Sequence, residues 1–149
     1  VCDFGGYCGF AMLMAEFQTA ARYDLPIKVF VNNNGSLGQI LWEQMVLGYP
    51  EFCVRFQEYS NYAPWATASG GLGIPVEKPG DLEAAVRAAR AHPAPPRVDV
   101  RVNPDEPPMP GKISYDQALK FAEAFLKGQP HKATIASTLF RDKISEFRS

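Results

Sequence analysis

The spacing of hydrophobic residues predicts an alternation of strands and helices from the start of the chain. Residues 1–4 are typical of the end of a strand, and Gly5, Gly6 and Gly9 then break the extended pattern. Residues 27–31 are β-branched and aromatic and lie between a proline and an asparagine, which predicts a short buried strand. Between these strands, apolar residues recur at helical spacing: Phe10, Leu13, Met14, Phe17, Ala20 and Ala21. Residues 1–31 therefore predict a βαβ unit with one helix over residues 10–23.

The same alternation continues downstream. We predict helices from near Leu37, over residues 62–69 and over residues 79–92, with strands at residues 73–76 and 97–102. The last of these strands alternates valines with charges, which favours one solvated face and a place at the sheet edge. Ser114 and Gln117 predict a capping box for a helix over residues 115–127, followed by Gly128, and a final helix covers residues 135–147. The predicted fold class is α/β, a parallel sheet flanked by helices.

Two polar turns follow the first two predicted strands. The first contains Gly6 and Gly9, and the second is the run Asn32-Asn33-Asn34-Gly35-Ser36-Leu37-Gly38. In a parallel sheet, neighbouring strands bring such turns together at their carboxyl ends, where ligands bind. Glycine lets the backbone approach a ligand closely, and asparagine tolerates turn conformations. The two turns predict a cofactor site.

These turns resemble the cofactor motif of thiamine diphosphate (ThDP)-dependent enzymes, which is Gly-Asp-Gly, about two dozen residues, then Asn-Asn. Here Gly6-Tyr7-Cys8 stands in the first position, residues 9–32 form a spacer of 24 residues, and Asn33-Asn34 closes the motif. Segments 9–16, 25–29, 42–45 and 103–110 resemble the pyruvate oxidase and quinone-dependent pyruvate dehydrogenase branch. The resemblance spans most of residues 5–147.

The resemblance implies that residues 1–149 form the C-terminal pyrophosphate-binding domain of a longer chain, with a ThDP-binding fold that is incomplete at its N-terminus. In the family, a pyrimidine-binding domain and a middle domain, which holds FAD in some members, precede this region. The implied activity is oxidative decarboxylation of a 2-oxo acid, pyruvate, by a homodimer or homotetramer assembled through the ThDP site. The glutamate that activates the cofactor comes from a partner subunit, so no catalytic residue is assigned here and the isolated segment is expected to be inactive. Acetolactate synthase shares the motif and remains an alternative.

The resemblance also assigns individual site residues. Those implied to bind the cofactor come from both turns: Gly6, Tyr7, Cys8, Gly9, Phe10, Asn33, Asn34, Gly35, Ser36, Leu37 and Gly38. The implied Mg²⁺ ligands are the Asn34 side chain, the Ser36 backbone carbonyl and the residue at the position of the family aspartate, here Tyr7. Mg²⁺ prefers hard oxygen ligands shared between carboxylates and phosphates. A tyrosine phenol, with a pKa near 10, is a poor replacement for that carboxylate.

Tyr7 and Cys8 depart from the family motif, and two explanations are open. Each residue is one G-to-T change at the first codon base away from the family residue, so adjacent lesions or sequence errors account for both. Alternatively, the chain belongs to a member that has lost metal-dependent cofactor binding and persists as a degenerate, non-catalytic dimerisation domain. A dinucleotide-binding Rossmann-like domain is a further hypothesis, although the G-x-G-x-x-G spacing is absent and no acidic residue ends the second strand.

Composition excludes several other classes of protein. The net charge is −1 and the sequence pI is about 6.1, which argues against a nucleic-acid partner. No apolar stretch approaches the roughly 20 residues of a membrane span, and no signal peptide is evident, so we expect a cytoplasmic protein. The last predicted helix carries basic residues beside apolar ones; packing is the favoured interpretation and peripheral membrane contact the alternative. Cys2, Cys8 and Cys53 lack paired spacing and are predicted to be buried thiols.

Other polar candidates have structural interpretations. We expect His92 and His131 to be solvated, and Asp105-Glu106 to be a surface pair in an extended loop. Trp42 is expected to pack in the core. The run Gly70-Gly71-Leu72-Gly73 is interpreted as a turn, because it lacks the strand-turn-helix context of a phosphate loop.

Overall fold

The computed structural model describes residues 1–56, 60–106 and 114–146, without the side chains of residues 143, 145 and 146. The chain divides into two compact units. The first contains Val1–Gly35 and Gln57–Val102, and the second contains Ser36–Phe56 and Asn103–Ser149.

A parallel sheet of four strands forms the centre of the first unit. The strands are β1 (Cys2–Gly6), β2 (Lys28–Asn33), β3 (Leu72–Val76) and β4 (Pro96–Arg101). Their order across the sheet is β1-β2-β4-β3, and every neighbouring pair is parallel. The α/β fold class predicted from the sequence is confirmed.

Helices connect the strands, and further helices make up most of the second unit. In chain order they are α1 (Tyr7–Leu13), α2 (Ala15–Arg22), α3 (Gly38–Val46), α4 (Tyr62–Ala68), α5 (Leu82–Ala91), α6 (Tyr115–Leu126) and α7 (Lys132–Glu146). A 3₁₀ turn over Pro79–Asp81 leads into α5. The prediction of one helix over residues 10–23 is corrected, because Met14 separates α1 from α2, where the Phe17 N–H donates to the Met14 carbonyl, a tighter turn than an α-helix makes.

The two faces of the sheet bury different side chains, because successive side chains of β2 point to opposite faces. Val29 and Val31 contribute to one cluster, which α1, α2 and α4 complete with Phe10, Phe17, Tyr62 and other side chains. Phe30 faces the opposite side, where Val76, Ala85, Ala89 and Val98 cover it. Leu13, which was placed on the apolar face of its helix, is instead exposed. Burial of both faces is typical of parallel sheets.

β4 lies inside the sheet, so the prediction of a solvated edge strand is wrong. It pairs with β2 on one side and β3 on the other. Val98 faces α5, while Arg97 and Asp99 lie opposite Val29 and Val31 and are buried. The valines and the charged residues of β4 do face opposite sides of the sheet, as predicted, but helices cover both sides.

The second unit has its own core. Leu41 and Met45 of α3 pack with Val54, with Ala124 of α6 and with Ile135 of α7. Trp42 is buried, its ring 5.4 Å from that of Phe121, as the packing interpretation predicted. Ser114 caps α6 through the predicted capping box with Gln117, and Gly128 follows the helix with a φ of 97°. Nowhere in the described ranges is a helix long and apolar enough to cross a membrane.

Candidate functional site

The two halves of the predicted motif lie side by side in the first unit. β1 and β2 are adjacent, and Gly6, the last residue of β1, is in register with Asn32 near the end of β2. The chain enters α1 at Tyr7 directly after Gly6, and Asn33, Asn34 and Gly35 follow the register partner of Gly6. The sheet therefore brings the Gly6–Gly9 turn and the asparagine turn to one edge, as predicted.

Tyr7 points into the protein rather than away from it. Only 6% of Tyr7 is exposed, and its hydroxyl lies 2.8 Å from the Ser60 hydroxyl and accepts a hydrogen bond from the Ser60 amide at 3.3 Å. The Ser60 carbonyl in turn accepts from the Asn33 side-chain amide at 3.0 Å. Tyr7 and Asn33 are thus joined through one serine, which the sequence analysis did not single out.

Asp99 is the second site residue that the sequence analysis missed. Its carboxylate accepts from the Asn33 side-chain amide at 3.0 Å and from the Tyr62 backbone amide at 2.9 Å, and the residue is only 4% exposed. A buried carboxylate is tolerated when hydrogen bonds replace its hydration. In the sequence, Asp99 is marked only as an acidic residue within a predicted strand. Its hydrogen-bond partners depend on the order of the strands in the sheet.

Aromatic side chains cover the inner side of this network. The Tyr62 hydroxyl donates to the Tyr7 carbonyl at 3.2 Å, and the rings of Tyr7 and Phe10 lie 5.3 and 5.4 Å from that of Tyr62. Burial, together with Tyr7, raises the pKa of Tyr62 to about 12. Tyr62 therefore stays neutral across the physiological range and acts as a hydrogen-bond donor.

Arg97 is the most unusual group near the site. It is fully buried, and within the described ranges its three guanidinium nitrogens have no hydrogen-bond partner. The guanidinium lies 3.5 Å from the centre of the Phe10 ring and 4.2 Å from that of Tyr62. Burial lowers the pKa of Arg97 to about 10, and the Asp99 charge offsets this only in part. Cation–π contacts compensate part of the lost hydration.

Around Tyr7, the backbone at Gly6 and Gly9 is open. Both glycines are exposed, and a Cβ atom built on either would meet no neighbouring atom in the described ranges within 4 Å. Cys8 is half-buried against the cluster around Phe10 and Val31, and burial raises the pKa of its thiol. The predicted glycine turn therefore leaves accessible backbone on both sides of Cys8, whose thiol is protonated at neutral pH.

The boundary between the units falls inside the second half of the motif. Gly35, in the first unit, has a φ of 60°, a conformation that favours glycine. In the second unit, Ser36 pairs with Arg55 as an isolated antiparallel bridge, and the Leu37 amide donates to the Val54 carbonyl at 2.8 Å. α3 begins at Gly38, and within the described residues its N-cap Leu37 makes no side-chain capping hydrogen bond.

The predicted magnesium ligands are of uneven quality. Asn34 is half-buried, the Ser36 carbonyl belongs to the backbone, and the Tyr7 hydroxyl is directed at Ser60. In the part of the chain that the structure describes, no three His, Cys, Asp or Glu side chains come together as a metal site. These groups do not fit Mg²⁺ held by a protein carboxylate.

Several other sequence-based expectations need correction. Cys2 and Cys53 are exposed free thiols rather than buried ones. Asp105 is buried, not a surface residue, and its carboxylate lies 2.7 Å from the Arg55 guanidinium, whereas Glu106 is exposed. His92 is half-buried at the end of α5, whereas His131 is exposed as predicted. Leu72 and Gly73 belong to β3, so only the first part of the glycine run is a turn; residues 107–113, part of the predicted extended segment, lie outside the described residues.

Comparisons with known proteins agree with the predicted family. Residues 1–100 match the family model described as thiamine pyrophosphate enzyme, C-terminal TPP binding domain. The chain is 41% identical over 127 residues to the Bacillus subtilis strain 168 protein named "Putative thiamine pyrophosphate-containing protein YdaP", a match covering 85% of this chain and 21% of that protein.

Acetolactate synthases are also similar. Identity is 31% over 123 residues to acetolactate synthase 1, chloroplastic, of Zea mays, covering 74% of this chain and 18% of the relative. It is 33% over 103 residues to the acetolactate synthase large subunit of Porphyra purpurea, covering 68% and 18%. The chain spans about a fifth of the length of these relatives.

Proposed function

Because this chain belongs to the thiamine pyrophosphate enzymes, as their C-terminal TPP-binding domain, we propose that it holds the diphosphate of ThDP within a larger enzyme that decarboxylates a 2-oxo acid. The observation that carries the proposal is the juxtaposition of the Gly6–Gly9 turn with Asn33 at the carboxyl edge of the sheet. When bound, ThDP supplies the carbanion chemistry that such decarboxylations require.

Within the first unit, the open backbone at Gly6 and Gly9 and the turn after β2 are proposed to contact the diphosphate. The Asn33 side-chain amide is bonded to Asp99 and Ser60, so we propose that Asn33 also supports the diphosphate site indirectly. It fixes the end of β2 so that Asn34 and Gly35 leave the strand in one conformation.

The reaction proposed for the whole protein is oxidative decarboxylation of pyruvate, for which FAD held by another part of the protein would supply the electron acceptor. The resemblance of segments 9–16, 25–29, 42–45 and 103–110 to the pyruvate oxidase branch supports this reaction. Acetolactate synthesis is the second candidate, and the names of the acetolactate synthase relatives favour it. Assembly as a homodimer or homotetramer and a location in the cytoplasm stay predictions.

Mg²⁺ binding is proposed to be weak in this chain. The Tyr7 hydroxyl faces Ser60, and the remaining predicted donors, Asn34 and the Ser36 carbonyl, are neutral. We therefore expect ThDP affinity to depend little on Mg²⁺, in contrast to a variant in which Tyr7→Asp and Cys8→Gly return the family motif. Changes around a metal commonly alter affinity about 10–100-fold, and a missing ligand should have at least that effect.

Calorimetry on the full-length protein tests this proposal. We expect ThDP to bind the double variant roughly 10-fold or more tightly with Mg²⁺ than with a chelator, and the unchanged protein to show no such difference. Cys8→Gly alone is the control for steric effects of the thiol. Absence of ThDP binding in every variant would contradict the cofactor assignment.

Product analysis of the ThDP-loaded double variant separates the two reactions. With pyruvate and an artificial electron acceptor, acetate or acetyl phosphate together with a reduced acceptor supports the oxidase reaction. Formation of acetolactate with no reduction of the acceptor supports acetolactate synthesis. Neither product from a variant that binds ThDP tightly supports a non-catalytic domain.

A further inference from the structure

Arg55 connects two segments of the second unit by pairing with two carboxylates, one on its own segment and one on the other. Its Nε and Nη2 atoms donate to the two oxygens of Glu51 at 2.8 and 3.0 Å, and Nη2 also lies 2.7 Å from Asp105 Oδ1. The side chains of Glu51 and Asp105 are each only 8% exposed, and that of Arg55 is 20% exposed. A bidentate, largely desolvated pair of this kind holds its geometry far better than a surface ion pair.

Gln129 secures the far side of this cluster. Its side-chain oxygen accepts from the Glu51 amide at 2.8 Å, and its amide donates to the Glu51 carboxylate at 2.9 Å and to the Pro130 carbonyl at 3.0 Å. Gln129 itself is 2% exposed. Glu51 is therefore held by its backbone and its side chain together, which gives Arg55 a fixed anchor.

The backbone of the same segment contacts the turn that precedes α3. Ser36 pairs with Arg55, and the Leu37 amide donates to the Val54 carbonyl at 2.8 Å. Val54 is 3% exposed and shares a core cluster with Leu41, Met45 and the partly buried Leu37. These contacts couple the position of residues 54–55 to that of Ser36 and Leu37.

We propose that Arg55 is a positioning residue: by clamping Glu51 and Asp105, it sets the conformation of the Ser36–Leu37 turn and with it the start of α3. This inference rests on the proposed function, in which that turn serves the ThDP diphosphate. Burial lowers the pKa of Arg55, but the hydrogen bonds and charges of Glu51 and Asp105 outweigh burial and raise it, so the clamp stays charged at every physiological pH.

The test compares Arg55→Met, Arg55→Lys and Arg87→Met in the full-length protein, each also in the Tyr7→Asp, Cys8→Gly background. Arg87 is a matched control, because it forms an Arg–Glu pair of the same four-residue spacing with Glu83, but on the exposed face of α5. Hydrogen exchange at the Leu37 amide reports the turn directly, exchange at the Val98 amide reports the sheet, and calorimetry gives the affinity for ThDP.

We expect Arg55→Met to speed exchange at Leu37 and to weaken ThDP binding about 10-fold, the size of effect typical of residues that orient ligating groups. Exchange at Val98 should not change. Arg55→Lys keeps the charge but loses the bidentate geometry, so its affinity should lie between those of the unchanged protein and Arg55→Met. Arg87→Met should match the unchanged protein in both measurements.

Unchanged exchange at Leu37 in Arg55→Met overturns the proposal, and so does faster exchange with unchanged ThDP affinity. If Arg55→Met does not fold, Arg55→Lys decides by the same two criteria. If no variant binds ThDP, including the Tyr7→Asp, Cys8→Gly background, the proposed function fails. In that case the exchange at Leu37 still decides whether Arg55 fixes the turn.

Discussion

At the scale of single residues, Arg97 shows what burial does to a charge. Its guanidinium packs on Phe10 and Tyr62 and lies near Asp99, and within the described ranges its nitrogens make no hydrogen bond. Hydration is lost and is only partly replaced by the aromatic rings. Arg97 is consequently expected to destabilise the first unit relative to an apolar side chain of similar length.

Arg97→Met should raise the free energy of unfolding by about 2 kcal/mol at neutral pH, because it removes a buried charge whose nitrogens have no hydrogen-bond partner among the described residues. Denaturant titration of both proteins gives this difference. Arg87→Met, on the exposed face of α5, should change stability by less than about 0.5 kcal/mol. A large loss of stability in Arg97→Met would contradict this prediction and show that Asp99 and the aromatic rings compensate the buried charge.

The same substitution has a defined pH dependence. The pKa of Arg97 is lowered to about 10 in the folded protein. At a pH between this pKa and the higher pKa of an ordinary arginine, the unfolded chain therefore binds more protons than the folded protein. Stability of the unchanged protein therefore gains from this group as the pH rises above about 10, whereas below it the penalty is complete. The stability advantage of Arg97→Met should be constant from pH 7 to 9 and should shrink between pH 10 and 11.

At the scale of secondary-structure elements, α4 approaches β3 so closely that the strand needs a glycine. A Cβ atom on Gly73 would overlap the Ala63 carbonyl of α4, a backbone group that cannot move aside by rotation. Gly80, in the 3₁₀ turn before α5, meets nothing within 4 Å in the described ranges. The two glycines therefore have very different tolerance for a methyl group.

Gly73→Ala should destabilise the protein by about 3 kcal/mol or more, through displacement of α4 from the sheet, and Gly80→Ala should be nearly neutral. Thermal unfolding followed by circular dichroism measures both. Equal melting temperatures for the two variants would contradict the close approach of Ala63 to Gly73.

The N-terminus of α6 depends on its capping box. The Ser114 hydroxyl accepts from the Gln117 amide at 3.2 Å, and the Gln117 side chain accepts from the Ser114 amide at 3.0 Å. Ser114→Ala should lower stability by about 1 kcal/mol. Ser137→Ala is the control: this hydroxyl donates to the Thr134 carbonyl inside α7, where alanine is the better helix former, so no loss is expected.

At the scale of the whole molecule, ligand binding should appear as a gain in stability. If the chain holds the diphosphate, ThDP at about 100 times its dissociation constant adds about 2.7 kcal/mol to the free energy of unfolding of the full-length protein. Thiamine carries the same rings without the phosphates and should give little stabilisation. Equal shifts of the melting temperature by ThDP and thiamine would indicate that the diphosphate is not the group recognised here.

Much of the fold and part of the candidate site could be predicted from local patterns. The βαβ start, the capping box at Ser114 and the motif spacing from Gly6 to Asn34 all depend on residues close in sequence or on fixed intervals along it. Ser60 and Asp99 could not be found in this way. Asp99 reaches Asn33 because β4 lies beside β2 in the sheet. Ser60 reaches Asn33 because the residues before α4 lie at the same edge of the sheet.

The element types, the family motif and the tyrosine at position 7 in place of an aspartate follow from periodicity, spacing and residue identity, which are local properties of the chain. The internal position of β4, the bond between Tyr7 and Ser60, and the burial of Arg97 and Asp105 follow from the fold. Burial and hydrogen-bond partners depend on which distant segments cover a side chain. The same alternation of valines and charges suits an edge strand or a covered one, and strand order alone distinguishes the two.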